Sequence, residues 1–263
     1  MSHKWRLIDS GPCSASYNMA LDEAIATSVR NRIAPPTLRF YSWDRPSLSL
    51  GCFQKTSDVD LGYCKQSIIP FVRRPTGGRA ILHSDELTYS FSVRTDKKPF
   101  SEGLMESYRR ISSAFNLAFR KIGIHVASKV QRERGRVLTG NPLCFESSSY
   151  GEILLNNRKI VGAAQKRWKD GLLQQGSIPY TCDKEKIVHV FGRKVSHTEN
   201  SLHGLKEIVP DFDDQNFRKT LHEAFEETFG ISLLTSHPDP AEHQLAEELE
   251  QRKYLQNSWN LRL

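Results

Sequence analysis

Nowhere in this 263-residue chain is there an apolar run long enough to cross a bilayer, and the opening MSHKWRLIDSG has no hydrophobic segment of the secretory kind. These absences argue against a helical membrane protein and predict a cytoplasmic one with no membrane partner. Cysteine is scarce and scattered. Cys13, Cys52, Cys64, Cys144 and Cys182 are odd in number and form neither a C-x-x-C pair nor a zinc spacing, so the thiols are expected to be free and no metal is expected. Walker, G-x-G-x-x-G, H-E-x-x-H and G-x-S-x-G patterns are missing, which removes the commonest nucleotide, zinc-protease and serine-hydrolase readings. An RNP pattern, finger spacings and heptad-linked basic regions are missing too, so nucleic acid is not the expected partner. The net charge of +7, with a pI near 9.2, points instead to acidic protein partners drawn in by long-range attraction.

What is present reads as one globular unit. The length suffices for a sizeable core and no internal repeat is visible. The expected organisation is a single monomeric domain over residues 1–263, with residues 201–263 as a helical segment packed on it and no full accessory domain. Helical periodicity predicts helices over Ser16 to Arg30, from Ser101 to Gly123, over Asn216 to Phe229 and from Pro240 through Tyr254. In the first of these Ser16 is the expected N-cap, and Asp22 and Glu23 are expected to turn away from the core.

Strands are predicted over Thr37 to Trp43, Ser47 to Leu50, Ile68 to Arg74, Ala80 to His83, Leu87 to Val93 and Ile124 to Ala127. Three more follow in quick succession, Glu152 to Leu155, Lys159 to Arg167 and Leu172 to Tyr180, joined by turns at Asn156-Asn157 and Asp170-Gly171. Two runs of sheet bracketing a long helix make an α+β fold, with mixed or antiparallel sheets flanked by helices rather than alternating βαβ units. Lys129 to Asn141, charged and glycine-bearing, reads as a solvated connector or a lid.

Two segments carry candidate chemistry. Arg73-Arg74-Pro75-Thr76-Gly77-Gly78-Arg79 places adjacent glycines among three arginines, a turn in which backbone N–H groups can approach an anionic or strongly polarised ligand. His83, at the end of the next strand, reads as a polar rim residue or a ligand contact. Further on, Cys144 stands ahead of the hairpin whose returning strand starts at Lys159, and an ammonium beside a thiol favours the nucleophilic thiolate. Taken alone, the bland readings hold their ground: a lone cysteine is usually a small buried hydrophobe, and a lone strand lysine a solvated residue.

The order of these segments resembles a known family. Arg73 through Ala80, followed by His83 and Glu86-Leu87-Thr88-Tyr89-Ser90, is similar to the signature of the lipoate-protein ligase and octanoyltransferase superfamily. Asn157 through Gln165 resembles its second signature, and Leu143-Cys144-Phe145-Glu146 resembles the cysteine motif of the octanoyltransferase branch. Trp5 to Asp9, Asn18 to Glu23, Gly51 to Gln54 and Gln175 to Ile178 extend the likeness over nearly the whole chain. The resemblance implies the biotin/lipoate protein ligase catalytic-domain fold. It implies Cys144 as nucleophile, Lys159 as the residue that tunes it and polarises the carbonyl, and Arg74, Thr76, Gly77, Gly78, Arg79 and His83 as the acyl-binding loop. Gly162, Ala163 and Ala164 would line the tunnel wall. Its implied reaction moves an octanoyl group from acyl carrier protein, through a cysteine thioester, to a lysine of a lipoyl-domain protein such as glycine cleavage H protein, with no cofactor. Two other reactions fit the same resemblance: an ATP- and Mg-dependent lipoate-protein ligase, and a carrier-to-carrier amidotransferase.

Overall fold

The computed structural model describes residues 3–128, 153–192 and 203–263. Its strands are β1 (His3–Cys13), β2 (Thr37–Trp43), β3 (Ser47–Leu50), β4 (Phe71–Arg73), β5 (Ile81–His83), β6 (Glu86–Arg94), β7 (Ala127–Ser128), β8 (Ile153–Leu155), β9 (Arg158–Arg167), β10 (Gly171–Pro179) and β11 (Ile231–Ser236). The helices are α1 (Ala15–Arg30), α2 (Leu61–Gln66), α3 (Leu104–Lys121), α4 (Lys184–Phe191), α5 (Leu205–Ile208), α6 (Asp214–Phe229), α7 (Pro240–Leu249) and α8 (Asn257–Asn260). Eight strands form one sheet in the order β11-β1-β2-β6-β10-β9-β8-β7, and a small second sheet runs β4-β3-β5. The larger sheet is parallel across β11, β1 and β2 and antiparallel from β2 onward, so the α+β class with mixed sheets is the observed one.

Both faces of the larger sheet are covered. On one face α3 and α6 bring Phe115, Phe119, Phe217 and Phe225 against Tyr89 and Phe91 of β6, with the Tyr89 and Phe115 rings 4.5 Å apart. On the other, α1 lies under α7 and contributes Met19, Leu21 and Ile25 to a core shared with Tyr41 and Tyr254. The alternation of β6 therefore separates two buried faces: Thr88, Ser90 and Ser92 are buried as completely as Leu87 and Phe91. The hydroxyls of Thr88 and Ser90 can be taken out of water because a polar partner waits opposite, as the Ser90 Oγ donates to Asp22 Oδ1 at 2.6 Å.

Several expectations are corrected. The N-cap of α1 is Ser14, whose Oγ accepts from the Tyr17 amide, while Ser16 donates to Glu250 Oε1 at 2.5 Å. Asp22 does not face solvent; it is wholly buried and pairs with an equally buried Arg39 at 2.7 Å. The segment from residue 201, expected to be helical, also supplies strand β11, which closes the sheet beside β1. The turn at Asn156-Asn157 does adopt the left-handed dihedrals its composition predicts, φ 50° and 61°, and Gly230 caps α6 at φ 63°. No helix among the described residues is long and apolar enough to cross a membrane.

Candidate active site

Small residues on two neighbouring strands open a slot in the molecule. Gly162, Ala163 and Ala164 of β9 stand opposite Ser177, Gly176 and Gln175 of β10. With Met19, Tyr41, Trp43, Ile81, His83 and Arg74 they line a narrow, mostly apolar pocket whose free volume is about 20 Å³. Gly176 has no alternative, because a Cβ there would lie 2.2 Å from the Tyr89 ring.

The cover of this pocket is the loop from Arg74 to Ala80, between β4 and β5. Gly78, at φ 84°, lies over Ala164. Beneath it Gly51 is compulsory, since a Cβ at that position would come within 1.8 Å of the Gly78 carbonyl oxygen. The Cys52 amide donates to the Thr76 carbonyl at 2.9 Å, and the Thr76 hydroxyl donates to Gln175 Oε1 at 2.8 Å. Arg73 and Arg74 both donate to backbone carbonyls. Arg74 Nη2 donates to Gly77 O and Arg79 O, both at 2.7 Å, while its Nη1 reaches Ser49 O and Oγ. Arg73 points the other way, fully buried, and donates to Gly51 O, Gln54 O and Asn260 O. Arg74 thus holds the loop itself, and Arg73 holds the Gly51 to Gln54 turn beneath it.

His83 is buried rather than a rim residue. Its ring stacks on Trp43 at 3.9 Å, its Nδ1 lies 2.8 Å from Glu86 Oε1, and its Nε2 lies 2.8 Å from Ser49 Oγ. Glu86 also accepts from Ser177 Oγ at 2.9 Å and from Thr88. A continuous chain of hydrogen bonds thus runs from Glu86 through His83 and Ser49 to Arg74 and the loop carbonyls. Burial pushes the Glu86 carboxyl up, but His83 and the donated hydrogen bonds outweigh it and hold Glu86 below its ordinary value of 4.5. Its contribution to stability is full above that ordinary value and lost as pH falls through the lower folded value. Glu86→Gln is therefore expected to flatten the acid side of the stability profile, read as denaturation midpoints between about pH 5 and pH 3. An unchanged profile would remove Glu86 from this role.

Lys159, the second residue of β9, lines a second cavity with Ile81, Ser84, Glu86, Pro179 and Cys182; Ile81 is a wall of both. The described site residues are thereby placed as follows: Arg74, His83, Gly162, Ala163 and Ala164 line the pocket, and Thr76, Gly77, Gly78 and Arg79 belong to its cover. Cys144 and the Lys129 to Asn141 loop lie outside the described residues.

Residues 14–226 match the model of the lipoyl protein ligase A/B catalytic domain. The chain belongs to that family. Among lipoyl ligase-type relatives, an octanoyltransferase LipM of Bacillus cereus is 36% identical over 98% of both chains, and one of Bacillus subtilis is 33% identical over 97% of both. A putative lipoate protein ligase from T. acidophilum, solved with bound lipoic acid, superposes with a TM-score of 0.81 at 26% identity, covering 98% of this chain and 99% of that one.

Against this family background, what sequence reasoning missed is the polar underside of the site. Ser49, Glu86 and Gln175 were not singled out, nor was Asp22, which accepts from Gln175 Nε2 at 2.7 Å and so anchors the partner of Thr76. A signal was available for Asp22: it sits three residues from Met19 and from Ile25, in the middle of the buried stripe of its own helix.

Proposed function

We propose that this chain is an octanoyltransferase that takes the acyl group from the thioester of acyl carrier protein and delivers it to a lysine of a lipoyl-domain protein. The observation that carries this reading is the covered, small-walled apolar pocket, set in a chain alike over its whole length to octanoyltransferases. An eight-carbon chain needs a narrow slot without polar demands, and Gly162 to Ala164 against Gly176 give it small-residue walls.

In the first step the Cys144 thiolate attacks the thioester carbonyl, and the tetrahedral intermediate collapses by expelling the pantetheine thiolate. In the second, the neutral lysine amine of the acceptor attacks the enzyme thioester. The C–S bond breaks, Cys144 leaves as thiolate, the amine gives up a proton, and an amide remains. Thioester to amide is downhill and requires no nucleotide. Lys159 and backbone N–H groups near Gly77-Gly78 stabilise the oxyanion in both steps.

The test is to incubate the protein with octanoyl-carrier protein, without nucleotide, and weigh it intact. A gain of one octanoyl group, discharged on adding lipoyl-domain acceptor, is the expected result. Transfer only with octanoate, ATP and Mg would replace this reading by the ligase one, and charging by an octanoylated glycine cleavage H protein alone would make the chain a carrier-to-carrier amidotransferase.

A further inference from the structure

Beside the covered pocket an aromatic side chain is held out into water. Phe53 is 82% exposed, yet the turn that bears it is firmly tied. Arg73 Nη1 donates to the carbonyls on either side of it, Gly51 O at 2.8 Å and Gln54 O at 2.6 Å. The Cys52 amide is bonded to Thr76 of the loop, and Arg262 Nη2 donates to the Cys52 carbonyl at 2.7 Å. An apolar ring in solvent is ordinary on a mobile loop; on a turn pinned from three directions it is a presented contact.

The ground around Phe53 is cationic. Arg262 and Lys253 both sit on the Trp259 ring, at 3.9 and 4.1 Å. Lys166 continues the face of β9 on which Ala164 lies beneath Gly78, and is within electrostatic reach of Glu23, Lys253 and Arg262. Lys55 follows the turn, exposed. Lys253 is paired with Glu23 at 2.6 Å, so the excess positive charge of this surface comes from Lys55, Lys166 and Arg262.

We propose that Phe53, with Lys166, Lys253 and Arg262 around it, is the docking surface for the acidic carrier protein that donates the acyl group. This rests on the transferase reading. The choice of donor over acceptor follows from reach. Lys159 and Lys166 mark opposite ends of β9, on the order of 20 Å apart at the rise of a strand. A lysine side chain on an acceptor is too short to bridge that span, so the acceptor body must sit near Lys159. The pantetheine arm of a carrier protein is several times longer, and its body can rest on Phe53 while its thioester reaches the pocket. An apolar anchor in a ring of cations complements an acidic helix bearing an apolar patch.

The experiment compares Phe53→Ser and Lys166→Glu with wild type, both checked for an unchanged melting temperature. Binding of carrier protein bearing its pantetheine arm is measured by fluorescence anisotropy, and acyl transfer is measured from octanoyl-carrier protein and from octanoyl-pantetheine. Each variant is expected to weaken carrier binding about tenfold or more and to raise the KM for octanoyl-carrier protein equally, while octanoyl-pantetheine turnover stays within about twofold. Equal losses with both donors would show that the turn only props up the pocket. Unchanged carrier binding, or weakened binding of the lipoyl-domain acceptor instead, would overturn the assignment. The binding arm needs no turnover, so it decides the docking surface even if the transferase reading fails.

Discussion

Cys144→Ser is expected to reduce octanoyl transfer by about three orders of magnitude or more while leaving the fold intact. The relay needs a nucleophile that is ionised near neutral pH and whose acyl adduct stays activated toward an amine. A serine hydroxyl is far more weakly acidic, and the ester it would form is a poorer acyl donor than a thioester. Single-turnover transfer from octanoyl-carrier protein to a lipoyl domain, followed by intact mass, reads both the charging and the delivery step. Retention of more than about a tenth of the wild-type rate would take the thiol out of the mechanism. Loss of transfer with an undiminished octanoyl adduct would instead place the defect in the second step.

The second large effect is on stability. Asp22→Asn is expected to cost about 3–5 kcal/mol, because it leaves the buried guanidinium of Arg39 without its counter-charge. The carboxylate accepts from Arg39, Tyr41, Ser90 and Gln175, at 2.7, 2.9, 2.6 and 2.7 Å. An amide must turn an N–H toward donors on one side. Burial first, and then the Asp22 charge, push the Tyr41 hydroxyl well above its usual range, so Tyr41 stays a donor. The melting temperature is expected to fall by on the order of 10 °C, measured by calorimetry. Asp22→Asn combined with Arg39→Met should recover part of the loss, since it removes the buried charge that the single variant leaves unpaired. A single variant that melts within about 2 °C of wild type would show the network to be dispensable.

Much of the fold was legible because local chemistry and global packing agree there. Thr37 to Trp43 and Ser47 to Leu50 form strands with those very limits, and Asn156-Asn157 and Gly230 adopt the dihedrals their side chains permit. Periodicity became uninformative where a polar residue is buried against another. Asp22 read as turned from the core because hydrophobicity was the only ruler, whereas the sheet is covered on both faces and Asp22 is met there by hydrogen bonds from Ser90 and Arg39. In the site, the glycines of the loop and the small residues of β9 were visible as pattern. The direction of each arginine was not, because adjacent residues on a strand point oppositely and sequence does not say what waits on either side. Strand β11 went unseen for a plainer reason, being half exposed.

The neighbouring arginines also tie the site to the far end of the chain. The Arg73 amide donates to Asn260 Oδ1 at 2.8 Å, and the Arg73 carbonyl accepts from the Trp259 indole N–H at 2.8 Å. The last turns of the polypeptide therefore act as a latch on the cover of the acyl pocket. Partial opening that peels residues 254–262 away would slacken the cover while the eight-stranded sheet stays whole, so catalytic competence can fail at a smaller free-energy cost than global unfolding.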